Sequence, residues 1–322
     1  MLPPKDDTLI HFAHAAYRFD LRYPKRDHGT RFYQTPNREE MRARMAEGHV
    51  LVCSGFWNND LLAAADNLTY IQVCAAGYNN FDLDALEKRG VILCNGAGVN
   101  MNAVTEHAMG LLLTLTRHIH LGRDRQARHE WRPMIANPDT REEELAGKTM
   151  LIYGLGTIGG RLAKLAKAFD MRVIGMRRDT SADPGACDEL RHPKDLHATL
   201  GEADVVVLTC PLTEETTNLM DAAAFAAMKP SAYFINVARG GCHDEAALVE
   251  AIKSRQIAGA GIDVTAVEPL DAGSPLWDFD NVVVTPHSAG ETRCYEENVL
   301  DVLIENLDRL WSGGTDLRNR IV

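Results

Sequence analysis

Three polar side chains stand just past short apolar runs in the second half of this chain, and together they have the chemistry to reduce a ketone. Arg239 lies in Asn236-Val237-Ala238-Arg239-Gly240-Gly241. Glu268 lies in Gly261-Ile262-Asp263-Val264-Thr265-Ala266-Val267-Glu268-Pro269. His287 lies in Thr285-Pro286-His287-Ser288-Ala289-Gly290. Hydride transfer to a carbonyl carbon leaves growing negative charge on oxygen, and a nearby proton donor must quench it. An imidazole, with an ordinary pKa of about 6.5, cycles near neutrality. A carboxylate beside it favours the imidazolium and fixes the ring's orientation. A guanidinium grips a substrate carboxylate and polarises the adjacent carbonyl. Taken residue by residue, other roles stay open: a local salt bridge for Arg239, a turn cap before Pro269 for Glu268, and a satisfied rim histidine for His287.

The hydride needs a carrier, and the chain offers a seat for one. The run Thr149–Tyr153 ends in Gly154-Leu155-Gly156-Thr157-Ile158-Gly159, and a helix-like segment follows to Phe169. Gly154 permits the tight turn out of a strand, Gly156 lets backbone approach a pyrophosphate, and Gly159 lets the helix pack close to the strand. The helix N-terminus then presents unpaired N–H groups and a positive dipole to the phosphates. In NAD-selective folds of this kind an acidic residue ends the second strand. Here Met171–Met176 runs into Arg177-Arg178-Asp179. A guanidinium there favours a 2′-phosphate, so NADP is expected in preference to NAD. The alternative is that both arginines are solvated and Asp179 holds the ribose.

Such residues need a frame. From Leu145 to His287 the β-rich runs Thr149–Tyr153, Met171–Met176, Asp204–Thr209, Ala232–Val237, Ala258–Val264 and Asn281–Thr285 alternate with helical segments, including Arg161–Phe169, Asp221–Met228 and Asp244–Lys253. Near-continuous apolar strands alternating with helices imply a parallel sheet covered on both faces. Ligands bind such sheets beyond the carboxyl ends of the strands, where Arg239, Glu268 and His287 fall. The first part reads as a smaller unit of the same class, with strands Leu9–Ala13, Val50–Ser54, Thr69–Cys74 and Val91–Asn95 and helices Asn37–Glu47 and Leu83–Arg89. Gly90 suits a helix C-terminus. Ala103 to Leu121, with Val104, Ala108, Leu111, Leu112, Leu115 and Ile119 at helical spacing, is expected to be one long buried connecting helix. Glu291 to Leu310 is also expected to be helical and to return to the first unit. The expected division is residues 1–98 with 290–322 for substrate, and 99–289 for the dinucleotide.

Composition narrows the function classes. A chain of 322 residues with 45% apolar residues suits about two globular domains. A net charge of −11 argues against a nucleic-acid or anionic-membrane partner, while leaving room for a small anionic substrate. Seven cysteines without a C-x-x-C pattern, several in apolar runs, suggest reduced thiols and a cytoplasmic setting. No apolar stretch reaches the length of a membrane span, and no leader is evident. A metal site is not expected. His118 and His120 are two apart on a helix and face different ways, and no Cys or carboxylate spacing completes a tetrahedral set. His107, beside Glu106, is expected to be an interface or capping contact.

At these segments the chain resembles the D-isomer-specific 2-hydroxyacid dehydrogenase family over nearly its whole length. The motifs that carry the likeness are Gly154–Gly159, Pro211-Leu212-Thr213-Glu214-Glu215-Thr216, Asn236–Gly241, Asp263–Pro269 and Thr285–Gly290. The resemblance implies two Rossmann-like doubly wound domains with the active site in the cleft between them, and a homodimer built through the connecting-helix region. It implies Arg239 as substrate anchor, His287 as acid/base and Glu268 as its partner. It places Asp263 at the nicotinamide carboxamide. Cys210, Pro211, Thr216, Val237, Ala238 and Ala289 join the glycine-rich turn, Arg177 and Arg178 as cofactor residues. In the first unit the loop Cys74-Ala75-Ala76-Gly77-Tyr78-Asn79 matches the family's carboxylate-binding loop. That makes the backbone of Ala76 and Gly77 substrate contacts, with Trp57 and Tyr78 as candidate pocket walls.

Departures touch the substrate. Asn79 replaces the common Asp, Thr105 an expected Ala, Phe56-Trp57 is bulkier than usual, and residues 14–36 match nothing recognisable. The expected activity is NAD(P)H-dependent reduction of a small 2-oxo acid to a D-2-hydroxy acid. Glyoxylate and hydroxypyruvate come first because reductases of that branch favour NADPH. A phosphoglycerate substrate is less expected, because the loop has no Lys or Arg between Cys74 and Leu83 and 322 residues leave no room for a further regulatory domain. The competing class is a dinucleotide-sensing corepressor or scaffold of the same fold. Turnover with a 2-oxo acid separates the two.

Overall fold

A computed structural model describes residues 2–322 and separates them into two compact units, one of residues up to Asn100 with Thr292–Val322, the other Met101–Glu291. Unit 1 holds strands β1 (Leu9–Ala13), β2 (Arg31–Thr35), β3 (Val50–Cys53), β4 (Tyr70–Val73) and β5 (Ile92–Cys94), with helices α1 (Phe19–Arg22), α2 (Arg38–Ala43) and α3 (Leu83–Arg89). Its sheet is parallel throughout, in the order β2-β1-β3-β4-β5. Alternate residues of each strand feed opposite layers. Ile10, Phe12, Val50 and Val52 enter one core, while Ala13, Leu51, Cys53, Ile71 and Val73 enter the other with Met41, Leu61 and Leu86. The Asp82 side chain caps α3 by accepting from the Ala85 amide at 3.0 Å, and Gly90 ends the helix at φ 71°. A cap of that kind stabilises a helix by about 1 kcal/mol.

Unit 2 holds helices α4 (Met101–Thr116), α5 (Ile119–Ala127), α6 (Thr157–Ala168), α7 (Leu196–Leu200), α8 (Ala222–Ala227) and α9 (Glu245–Lys253). Its strands are β6 (Thr149–Tyr153), β7 (Arg172–Met176), β8 (Glu189–Arg191), β9 (Val205–Leu208), β10 (Tyr233–Asn236), β11 (Gly259–Ile262) and β12 (Val282–Val284). The seven strands are parallel in the order β12-β11-β10-β9-β6-β7-β8. The order reverses at β6, which pairs with β7 on one side and β9 on the other, so the doubly wound switch point opens at the carboxyl ends of β6 and β9. Beyond unit 2, α10 (Tyr295–Trp311) packs in unit 1. There the buried Asn306 amide donates to the Tyr70 hydroxyl at 3.0 Å and the Arg318 carbonyl at 2.9 Å.

Two expectations are corrected. The connecting helix is not continuous to Leu121. It stops after Thr116, His118 takes a left-handed φ of 52°, and α5 resumes with no buried residue. The reason is that the buried stripe of α4 ends at Leu115 and Thr116, so nothing apolar holds a straight continuation in place. The helix expected over Asn37–Glu47 is only α2, with Asn37 as its cap, accepting from the Glu40 amide at 2.9 Å. The unmatched segment 14–36 contains an edge strand, β2, whose mostly half-exposed residues lack an apolar signature. No helix among the described residues is long and apolar enough to cross a membrane.

Candidate active site

The glycine-rich turn leaves β6 at the switch point, and its three glycines differ in what surrounds them. Gly154 has φ 101°, and a Cβ there would come within 2.7 Å of the Cys210 amide nitrogen. A Cβ on Gly159 would strike the Gly154 carbonyl, so only glycine lets α6 approach β6 this closely. Gly156 instead faces open space, with nothing within 4 Å of an added Cβ. Gly156 is also the N-cap of α6 and offers no side-chain cap, so the first-turn N–H groups of Thr157, Ile158 and Gly159 have no side chain to satisfy them. Thr209 fixes the turn, its hydroxyl donating to the Gly154 carbonyl at 2.7 Å. An open approach beside uncapped amides fits a pyrophosphate.

The turn forms one wall of a cleft of about 540 Å³, with Leu155, Arg177, Arg178, Cys210, Pro211 and Thr216 also on its walls. The Leu155 side chain leans on Gly175 of β7. Thr216 holds the opposite loop, its hydroxyl donating to the Pro211 carbonyl at 2.7 Å and accepting from the Thr213 amide at 2.7 Å. Its Cys242 partner, then burial, push the Cys210 thiol well above its usual range, so the cleft wall carries a neutral thiol. Asp179 is engaged elsewhere. Its carboxylate accepts from the Ser181 amide at 3.0 Å and hydroxyl at 2.7 Å, and these bonds lower its pKa. Glu214 and Glu215 of the Pro211–Thr216 motif also line the cleft, as does Pro193, which no motif marks. The signal of Pro193 lies only in position, since it follows β8 on the carboxyl side of the sheet.

The three polar residues belong to turns beyond β10, β11 and β12. The Glu268 carboxylate bridges two of these turns, accepting from the Thr265 amide at 3.2 Å and from His287 Nδ1 at 2.7 Å. A carboxylate only accepts, so Nδ1 carries the proton of this bond and Nε2 is the ring atom left for a ligand. Both side chains are about half exposed, at 48% and 40%. The turn that carries Arg239 lies against the same loop, because a Cβ on Gly240 would overlap the Thr265 carbonyl. Asn236 shapes that turn. Its amide donates to the Arg239 carbonyl at 3.0 Å, and its oxygen accepts from the Ala238 amide at 2.9 Å. Arg239 is exposed and donates to the Ala238 carbonyl at 2.6 Å. Among the described residues no carboxylate lies within ion-pair distance of it.

Asp263 is 2% exposed, and its carboxylate accepts from Thr285, Ser288 and Ala289 at 2.6, 2.9 and 3.0 Å. It therefore holds the His287 turn. Val237, Ala238 and Ala289 have buried side chains, and the Ala238 and Ala289 amides are bonded to Asn236 and Asp263. His107 Nε2 lies 2.9 Å from the Thr285 hydroxyl.

In unit 1, Ala76 and Gly77 are exposed beyond β4, and the Asn95 amide fixes the loop by donating to the Ala76 carbonyl at 2.7 Å. Among the described residues the N–H groups of Ala76 and Gly77 have no acceptor. Tyr78 is half-buried. Trp57 is corrected as a pocket wall. Its ring is 4% exposed, stacks on Phe81 at 5.2 Å, and donates to Asn59 at 2.8 Å, so burial in the core claims it.

Residues 109–289 match the family model described as D-isomer specific 2-hydroxyacid dehydrogenase, NAD binding domain. The chain is 34% identical to a glyoxylate reductase of Thermofilum pendens over 86% of this chain and 83% of that protein. It is also 34% identical to a D-3-phosphoglycerate dehydrogenase of Archaeoglobus fulgidus, of whose length it spans 49%. A D-isomer specific 2-hydroxyacid dehydrogenase family protein from Aeromonas salmonicida has a similar structure, with a TM-score of 0.83, 29% identity and coverage of 98% of this chain and 99% of that one. With its parallel-sheet units, its glycine-rich turn and these likenesses, the chain belongs to the D-isomer-specific 2-hydroxyacid dehydrogenase family, NAD(P)-dependent oxidoreductases acting on CH–OH groups.

Proposed function

We propose that this enzyme reduces small 2-oxo acids of the glyoxylate and hydroxypyruvate type to D-2-hydroxy acids, with NADPH preferred over NADH. The observation that carries this reading is the Arg239 guanidinium, without a carboxylate partner, on a turn packed against the loop that holds the His287–Glu268 pair. When bound, the dinucleotide supplies the hydride. Arg239 holds the substrate carboxylate by paired charge-assisted bonds and polarises the neighbouring carbonyl. His287, held through Nδ1 by Glu268, gives the Nε2 proton to the carbonyl oxygen as charge develops there. In unit 1, the N–H groups of Ala76 and Gly77 are donors of the kind a carboxylate takes. The likeness to a glyoxylate reductase supports the small substrate.

The preference for NADPH rests on Arg177 and Arg178 in the cleft wall, with Asp179 drawn into its own turn. A 2′-phosphate accepts from guanidinium forks where a bare ribose gains little. The proposed homodimer rests on Trp131 and Met134, which expose 98% and 96% of their surface on an irregular segment after α5. Apolar side chains so exposed are covered more readily by a second chain than by water. Six free, buried thiols are consistent with a reducing, cytoplasmic compartment. The test is a panel of 2-oxo acids assayed with NADH and NADPH. Rapid NADPH oxidation with glyoxylate or hydroxypyruvate is expected, and tight dinucleotide binding without turnover on any 2-oxo acid would refute the proposal.

A further inference from the structure

His287 occupies the left-handed region at φ 54°. A residue with a Cβ pays about 1–2 kcal/mol to sit there, so its surroundings must hold it. Three consecutive amides are tied to one residue. The His287 N–H donates to the Asp263 carbonyl at 2.8 Å, and the Ser288 and Ala289 amides donate to the Asp263 carboxylate. That carboxylate is 1% exposed, which is tolerable only if its lone pairs are well satisfied. The Thr285 hydroxyl completes the set on Oδ1 at 2.6 Å.

The direction of each proton follows. The carboxylate cannot donate, so the single hydroxyl proton of Thr285 goes to Asp263. The Thr285 oxygen is then left to accept, and its partner is His107 Nε2 at 2.9 Å, which must carry a proton in this arrangement. The same Nε2 lies 3.5 Å from Asp263 Oδ1. His107 stands on α4, which packs on β10, β11 and β12, and Leu111 one turn on presses against Gly261 of β11. A rigid helix thus supports a donor behind the turn that carries His287.

We propose that His107 is a positioning residue for His287, holding the 285–289 turn through Thr285 and Asp263. This rests on the reading of His287 as the acid/base. His107 does not touch the reacting atoms. It keeps Thr285 aimed at Asp263, and Asp263 keeps the imidazole on its strained backbone, facing Glu268 and the substrate. Losing the donor lets Thr285 turn away, removes one bond from a buried carboxylate, and frees the His287 turn to relax.

The full-length protein is assayed as wild type, His107→Phe, His107→Gln, Thr285→Val and the double variant His107→Phe/Thr285→Val, with the best 2-oxo acid and NADPH. His107→Phe should lower kcat by about 10- to 100-fold, as for a displaced catalytic group, with KM within about 3-fold. His107→Gln keeps an N–H donor and should recover most of the loss. The double variant should be no slower than Thr285→Val, because both residues act through one chain of bonds. An unchanged kcat in His107→Phe, or losses that multiply in the double variant, would overturn the proposal. Amide hydrogen exchange at Ser288 and Ala289 is measured on the same proteins. Faster exchange in His107→Phe supports the proposal, and unaltered protection overturns it. If the wild type reduces no 2-oxo acid, the functional reading fails and exchange alone decides the positioning role.

Discussion

Acid should loosen this protein before most of its carboxylates are protonated, and His243 is one group responsible. Its ring is 1% exposed beside Phe234, and burial pushes its pKa down to about 4. Its Nδ1 lies 2.9 Å from the Asn236 amide, which also donates to the Arg239 carbonyl. Its Nε2 is buried without a partner. Asn236 donates to Nδ1, so the ring must be neutral at Nδ1, and protonation there expels the amide that shapes the Arg239 turn. An unfolded histidine titrates near 6.5 and the folded one near 4. Between these values the unfolded chain binds more protons, so stability rises with pH. The contribution is fully present above about pH 6.5 and is lost as pH falls towards 4. The difference corresponds to about 3 kcal/mol at the limit, and to about 2 kcal/mol by pH 5. His11, also lowered to about 4, chiefly by burial, adds a loss of the same sign in unit 1. Urea unfolding from pH 7.5 to 4.5, followed by hydrogen exchange over residues 236–243, measures the effect. The variant His243→Leu should be less stable than the wild type at pH 7.5 and should lose less between pH 6.5 and 4.5. Parallel pH curves for the two proteins would refute the reasoning.

The other expectations concern the site. Arg239→Ala should lower kcat/KM for a 2-oxo acid by about 10²-fold, the loss of about 3 kcal/mol of charged hydrogen bonding, and Lys should restore only part because the planar fork is gone. Full rescue by Lys in steady-state assays would count against bidentate anchoring. His287→Ala should reduce kcat by about 10² to 10⁴-fold, while fluorescence titration finds NADPH affinity nearly unaltered. A mild loss of kcat would remove His287 from the chemistry. Gly240→Ala drives a Cβ into the Thr265 carbonyl. It should cost about 1–3 kcal/mol in unfolding experiments and lower turnover together with stability, and a variant with wild-type melting would contradict the close approach. Arg177→Asp should shift the kcat/KM ratio of NADPH to NADH by at least about 10-fold towards NADH, and an unmoved ratio would remove the basis for NADPH.

Much of this molecule was legible in the chain because its signals are local. The buried strands Val50–Cys53, Val205–Leu208 and Thr149–Tyr153 are continuous apolar runs, and a parallel sheet covered on both faces demands that pattern. The glycine-rich turn was legible because its three glycines stand at fixed spacing between an apolar run and a helical segment. Strands β2 and β8 were not, since edge strands half open to solvent need no apolar signature. Trp57 stayed open between a pocket wall and packing because a bulky aromatic residue near a loop looks the same in sequence whether it lines a pocket or fills a core. Its 4% exposure is a property of packing.

Contacts between distant segments were the tertiary structure's to decide. His107 and Thr285 are 178 residues apart, and no periodicity relates them. Only the packing of α4 across the sheet brings the imidazole to the hydroxyl. The approach of Gly240 to Thr265 is of the same kind. The chain by itself determined which residues could do the chemistry, because residue type and strand-end position are written along it. Their orientation was decided by burial and by hydrogen bonds between turns, which exist only once the sheet has formed.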